Sequence, residues 1–249
     1  MKYWTHPWNP IIGCQKCSPG CQNCYALSMA QRLCALGNAK YRDAIKYTGS
    51  SFRWTTAWTG EVSLDQAALE APLYAQKPRV YFNSMCDPFY CAVPGEWIDS
   101  LFRIAALAAR HTYVLCTKRA ERIYTHLRDL TTPVANIYLG ITVENQAMAD
   151  ERLPWLAKLA AAGWKTWVSY EPALEPVLWD QYYRAETILG VIAGGETGPF
   201  ARPANPDWFG QCRDTCADGG IAFCLKQLGP KRDRVLDGRT HDELPWRMT

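Results

Sequence analysis

Four cysteines fall within eleven positions near the amino end, in WNPIIGCQKCSPGCQNCYA (residues 8–26): Cys14, Cys17, Cys21 and Cys24. They read as C-x3-C-x2-C through Cys17, Cys21 and Cys24, or as C-x6-C-x2-C through Cys14, Cys21 and Cys24. Three thiolates on one short loop can hold three irons of a cubane iron–sulfur cluster and leave the fourth iron open to another ligand. The competing readings are a zinc knuckle and a loop of reactive thiols. Structural zinc takes four closed ligands, usually in two spaced pairs, which this crowded set does not resemble. The spacing therefore favours iron–sulfur ligation. Cys21 and Cys24 belong to both assignments, and the first ligand stays open between Cys14 and Cys17.

Polar or charged residues recur farther along, where apolar runs finish: Asp87, Lys118 with Arg119, Glu144 with Asn145, Glu171, Glu196, and Lys226 with Gln227. Any one of these is most simply a helix cap or a surface charge. Six in succession point to a lined rim, on which two or three can pair with one another structurally. In Gly194-Gly195-Glu196 the glycines let backbone approach a ligand closely, the alternative being a tight turn. Glu171-Pro172 reads as a carboxylate fixed by a rigid turn.

The elements that must position these groups follow from periodicity. β-rich apolar runs occur at 79–86, 112–118, 136–144, 166–171, 187–196 and 221–227, with Trp8–Gly13 as a first strand. Most are separated by helical stretches, clearest at Glu96–Arg110, at about the spacing of a βαβ unit of roughly 30 residues. Seven strands in repeated βα units predict an α/β fold, a partial or full parallel β/α barrel, as one domain over residues 1–249. Such a barrel gathers the strand C-terminal ends on one face, and the cysteine loop, following its own strand, opens there too. Asn23 to Gly37 reads as a helix with Cys34 on its apolar face. Residues 38–60 break the pattern: Tyr41, Arg42, Lys46, Tyr47, Arg53, Trp54 and Trp58 surround Gly49, Ser50 and Ser51. This aromatic-basic insertion is suited either to stacking bases beside phosphates or to closing one side of a barrel. The tail carries a basic loop, Gly229-Pro230-Lys231-Arg232-Asp233-Arg234, more simply a solvated turn than a phosphate contact.

Composition narrows the class. Eleven cysteines in 249 residues do not make a short secreted disulfide scaffold. No segment offers about eighteen uninterrupted apolar residues, and the start has no apolar signal core, so a reduced cytoplasmic protein without a membrane is expected. The net charge of +3 permits a polyanionic partner. The four histidines, His6, His111, His126 and His241, have no metal-protease spacing. Cys86, Cys91, Cys116, Cys212, Cys216 and Cys224 match no common ligand run and read as small packing residues rather than an auxiliary cluster.

Taken together these residues resemble a phage-associated, radical-SAM-like family of unknown function. The matching motifs are WNPIIGCQKCSPGCQNCYA, NSMCDPF (83–89), CTKRAER (116–122), LGITVENQ (139–146), SYEP (169–172), AGGETGPFARP (193–203) and LKQLG (225–229). They run in order over nearly the whole chain. A looser likeness extends to spore-photoproduct-lyase-type repair enzymes, through Asp87-Pro88, Thr117-Lys118 and Gly140-Ile141-Thr142.

The resemblance implies a radical-SAM barrel carrying a [4Fe–4S] cluster whose open iron chelates S-adenosylmethionine. It implies one-electron cleavage to methionine and a 5′-deoxyadenosyl radical, with the electron from an external reductant. The family's cluster cysteines correspond to Cys14, Cys21 and Cys24, whereas the radical-SAM spacing at large selects Cys17, Cys21 and Cys24. Cofactor contacts are expected from Ser84 and Asp87 at the second strand end, from Lys118 on the cofactor carboxylate, from Glu144 with Asn145 near the ribose hydroxyls, and from Gly194 and Gly195. Gly-Gly-Glu follows the sixth strand here rather than the second. Glu171, Glu196, Arg202 and Lys226 are expected on the substrate side as catalytic candidates, with a nucleic acid or nucleotide as substrate. Two alternatives stand beside this: a non-catalytic, metal-stapled nucleic-acid-binding module, and a barrel that binds cofactor without turnover.

Overall fold

The computed structural model describes residues 3–50, 53–129, 132–183 and 186–246. In chain order come β1 (His6–Pro7), β2 (Ile11–Ile12), α1 (Tyr25–Ala35), β3 (Ile45–Ser50), β4 (Arg53–Trp58), β5 (Ser63–Leu64) and α2 (Gln66–Tyr74). Then β6 (Val80–Phe82), α3 (Gly95–Leu107), β7 (Thr112–Thr117), α4 (Ala120–Leu127), β8 (Ile137–Thr142), α5 (Gln146–Ala161), β9 (Lys165–Tyr170), β10 (Gly190–Gly194), α6 (Pro206–Asp218) and β11 (Ala222–Gln227) alternate strand with helix. Seven strands form one sheet in the order β1-β6-β7-β8-β9-β10-β11, every pair parallel, curled into a half-barrel.

Alternation along the strands explains why the runs are apolar throughout, since a parallel sheet is covered on both faces. Tyr113, Leu115 and Leu139 pack outward with Ile98, Leu101 and Ala105 of α3. Ile141, Val168, Val191 and Leu225 pack outward with Leu153 and Leu156 of α5 and Phe209 of α6. The alternate residues Val80, Val114, Trp167, Ile192 and Cys224 fill the concave side together with Tyr3 and Trp246. Trp167 fits there because Gly140 on the neighbouring strand has no side chain: a Cβ would stand 2.2 Å from the indole. Gly140→Ala is therefore expected to destabilise the fold by about 1–3 kcal/mol through overpacking, read from urea unfolding followed by circular dichroism.

The first strand differs from the expected Trp8–Gly13. Only His6–Pro7 pairs with β6, and the Trp8 N–H extends that ladder to the Phe82 carbonyl at 2.8 Å. Pro10 cannot donate to a ladder, and the chain turns away so that Ile11–Ile12 pairs antiparallel with Ser63–Leu64. The Asn9 side chain takes over, its Oδ1 accepting from the N–H groups of Ser84 (2.8 Å) and Met85 (2.9 Å).

Strands β3 (Ile45–Ser50) and β4 (Arg53–Trp58) pair antiparallel. Tyr41, Ala44, Ile45 and Trp58 are buried against Ala26, Leu27 and Ala30 of α1, while Arg42, Lys46 and Tyr47 are exposed. Ser51, and the side chains of Ser50, Arg53 and Trp54, lie outside the described residues. The tail is stitched in: Leu225 N–H donates to His241 O, Glu243 N–H to Phe223 O, and the Trp246 indole to Tyr3 O at 2.9 Å. This segment runs antiparallel along the outer edge of β11, bridging Cys224 to Asp242, and reaches Tyr3 before β1. In the basic loop Lys231 and Arg232 are exposed, and Arg234 pairs with Asp242. Among the described residues no helix is long and apolar enough to cross a membrane.

Candidate functional site at the mouth of the half-barrel

The cysteine loop leaves β2 through Gly13, whose φ of +97° and would-be Cβ, 2.0 Å from the Glu61 carbonyl oxygen, both require glycine. From there it crosses the C-terminal mouth of the sheet and enters α1, with Cys24 at the N-cap position. Along the way it is gripped by residues from successive strand ends.

After β7, Arg119 donates to Gln15 O (2.7 Å) and to the sulfur of Cys17 (2.9 Å). After β8, Glu144 accepts from the Ser18 hydroxyl at 2.7 Å. Gly20 lies so close that a Cβ would stand 2.6 Å from the Glu144 carboxylate. After β10, Arg202 donates to Pro19 O (2.9 Å) and to the Gln22 side chain (3.3 Å), and Glu196 accepts from Asn23 at 2.9 Å. The Tyr25 hydroxyl donates to Ser84 O after β6.

These grips rest on a second tier of bonds. Asp87 accepts from the Thr117 hydroxyl (2.6 Å), the N–H groups of Lys118 (2.9 Å) and Phe89 (3.0 Å), and Arg119 (3.1 Å). Glu144 is fully buried between Lys118 at 2.6 Å and Arg152 at 3.1 Å. Burial by itself raises its pKa, yet Lys118, Arg152 and Ser18 overcome that and hold the carboxyl below its ordinary value. Glu196 is likewise held low by Arg202, against the effect of burial. Asn145 serves as N-cap of α5, accepting from the Met148 N–H at 3.0 Å.

All four loop thiols are free. The Cys17 thiol, with Lys118 and the Ser18 hydroxyl, pulls Cys21 down to about 4 against the effect of burial, while Cys17 is raised. Burial and the Asp87 carboxylate push Cys14 up to about 12. Among the described residues no three His, Cys, Asp or Glu side chains stand together at metal-ligand spacing. The donor set nonetheless suits a thiolate-ligated cluster. The sulfurs are confined to one loop, the surroundings of Cys21 favour its thiolate, and Lys118 and Arg119 supply positive charge beside them.

Most predicted site residues thus meet at one mouth, but they hold the loop rather than line an open chamber. Glu171 and Lys226 are different. Lys226 Nζ (2.5 Å) and Gln227 Nε2 (2.9 Å) both donate to Oε1 of Glu171, and Oε2 has no partner among the described residues. Lys226 lies over the Tyr3 ring on the concave side, where the Cys116 sulfur also meets the Thr142 hydroxyl at 3.3 Å. Gly194 and Gly195 serve backbone packing: a Cβ on Gly195 would stand 2.3 Å from Leu228 O, and one on Gly194 2.8 Å from the Gln227 amide. Cys212 and Cys216 are buried in the core of α6, as expected of packing residues.

Sequence reasoning passed over Asn9, Ser18, Gly20, Asn23 and Arg152. Ser18-Pro19-Gly20 carried the signal of a turn, and Arg152 falls on the same helix face as the buried Ala149 and Leu156, where an arginine implies a buried partner.

No curated protein and no solved structure matches the chain. One family model does, over residues 1–245, under the description "Protein of unknown function (DUF5131)". The chain therefore belongs to the DUF5131 family.

Proposed function

We propose that this protein is a cytoplasmic radical S-adenosylmethionine enzyme acting on a nucleic acid or nucleotide, with Cys14, Cys21 and Cys24 as cluster ligands. The observation that carries the reading is the convergence of the strand-end motifs on one cysteine loop at the mouth of a parallel half-barrel, where the βα loops of such folds build their active sites. When bound, a [4Fe–4S] cluster with one open iron supplies one-electron cleavage of S-adenosylmethionine and a 5′-deoxyadenosyl radical that takes hydrogen from substrate.

The chain's own residues do the rest. Drawing Cys14 and Cys24 in beside Cys21 assembles the ligand set, and Lys118 and Arg119 offset its negative charge. Glu144, Glu196 and Arg202 fix the loop from both sides, so its position is set by the sheet. Glu171, with Oε2 free and Lys226 beside it, presents an acceptor and donors to a substrate on the concave side. Arg42, Lys46 and Tyr47 on and before the hairpin, exposed next to α1, suit phosphate and base contacts.

Cys17 is the exposed sulfur and is held by Arg119, so it is left outside the ligand set. Cys14→Ala is accordingly expected to lose most of its iron on anaerobic reconstitution, and Cys17→Ala to keep it; the reverse pattern would move the first ligand to Cys17. The activity test is formation of 5′-deoxyadenosine from S-adenosylmethionine by reconstituted, dithionite-reduced protein. Colourless, zinc-loaded protein without cleavage would make the loop a structural staple instead.

A further inference from the structure

The end of the sheet opposite the cysteine loop carries a second concavity. Thr5 and His6 stand where β1 begins, and Gln76, Lys77, Pro78 and Arg79 form the turn that leads into β6. Together they line an open cavity of about 410 Å³, a volume within the range of small-molecule sites. The turn is tied down from behind. Arg110 closes the end of α2, donating to Pro72 O (3.1 Å), Leu73 O (2.7 Å) and Ala75 O (2.8 Å). Pro78 then restricts the backbone just before Arg79.

The lining has charge of one sign. None of its six residues is a carboxylate. Lys77 is exposed and Arg79 half-buried. Among the described residues neither makes an ion pair, and the Arg79 guanidinium donates to the Tyr81 hydroxyl at 3.3 Å.

His6 is the third member. The Thr5 hydroxyl donates to Val80 O (3.2 Å) and accepts from the Val80 N–H (2.8 Å). With its one proton spent, it can only accept from His6 Nδ1, 2.9 Å away, so Nδ1 carries the imidazole proton. Nε2 is then a lone pair in neutral His6 and an N–H donor in the cation. Burial and the Arg79 charge hold the His6 pKa below its ordinary 6.5. The other groups beside the ring are Thr5, Lys77 and Tyr81, whose ring centre lies 5.9 Å away, so no carboxylate offsets these cations. An anion bound here pairs with Lys77 and Arg79, favours the protonated ring and turns Nε2 into a further donor.

We infer that this cavity binds a phosphoryl group, with Arg79 and Lys77 as its anchors and His6 as a proton-dependent third contact. The planar fork of Arg79 suits two phosphate oxygens, and the volume leaves room for the molecule that carries the phosphate. A carboxylate ligand has one charge to set against three cationic groups. The site is remote from the cysteine loop and does not depend on the function proposed above.

The test follows the NMR signals of the His6 ring in the metal-free full chain from about pH 5 to 8. The probe is sulfate, a phosphate-shaped dianion whose own charge is constant over that range. Sulfate is expected to raise the His6 pKa by about one, equivalent to about tenfold tighter binding to the protonated ring. Lys77→Gln and Arg79→Gln are each expected to weaken sulfate binding several-fold, and the exposure of Lys77 keeps the first of these free of folding effects. Lys231→Gln, at an exposed lysine of the tail loop, leaves binding unchanged. Ribose 5-phosphate and a single-stranded oligonucleotide separate the sources: displacement of sulfate by the sugar phosphate identifies a free phosphorylated ligand, and displacement by the oligonucleotide alone identifies a nucleic-acid backbone. Chloride that raises the His6 pKa as much as sulfate at equal ionic strength would overturn the assignment. So would sulfate binding unchanged in both variants, or failure of both phosphate compounds to displace it.

Discussion

Cys21→Ala protein, reconstituted anaerobically with iron and sulfide, is expected to hold less iron than the parent by on the order of tenfold or more. The expectation follows from where this sulfur sits. Cys21 is the buried member of the loop set, and its anionic form is favoured by Cys17, Ser18 and Lys118 around it. A thiolate ligand has to be deprotonated before it binds metal, so surroundings that favour the anionic form lower the proton cost of ligation at Cys21. Cys34→Ala is the control, since Cys34 lies in the last turn of α1, ten positions beyond Cys24. Equal loss in both would mean a folding defect. Full iron retention in Cys21→Ala would remove it from the ligand set.

The second large effect is expected at Glu144. Its carboxylate compensates two cations, Lys118 and the almost wholly buried Arg152, while accepting from Ser18. Removing one partner of a buried ionic group leaves charge unpaired, at a cost of about 3–5 kcal/mol, so Glu144→Leu should unfold at much lower urea than the parent. Because the folded-state pKa is depressed below its ordinary 4.5, the stabilisation is fully present above that value and is lost as pH falls through the folded value. Parent stability should accordingly fall on the acid limb, and Glu144→Gln should flatten that fall. Ser18→Ala, which removes only the loop's hydroxyl, is expected to shift stability far less. A parallel acid limb in parent and Glu144→Gln would show that another carboxylate governs it.

The strands were legible because burial on both faces leaves long apolar runs: five of the seven lie within the expected segments, and a sixth, β9, begins one residue before its segment. The first strand was misplaced because apolar character alone does not separate His6–Pro7 from Ile11–Ile12; Pro10 and Asn9 decide where the chain leaves the sheet. At the site, strand-end position pointed to the mouth where these side chains meet but not to their partners. Glu144 reaches Ser18 across 126 positions and Arg202 reaches Pro19 across 183. Pairings that distant depend on how the sheet curls, which no local pattern reports. The glycines show the same limit: Gly194-Gly195 reads as room for a ligand, and the room is taken by the end of β11. The two tiers of bonds also change what the motifs mean, because a charge that grips the loop shapes the site without touching substrate.

The most direct test of the central claim is the electron paramagnetic resonance spectrum of the reconstituted, reduced protein, recorded with and without S-adenosylmethionine. The account predicts about four irons per chain and a cluster signal that shifts when the cofactor binds an open iron. A protein that takes up zinc in place of iron, or a cluster signal indifferent to the cofactor, would contradict it.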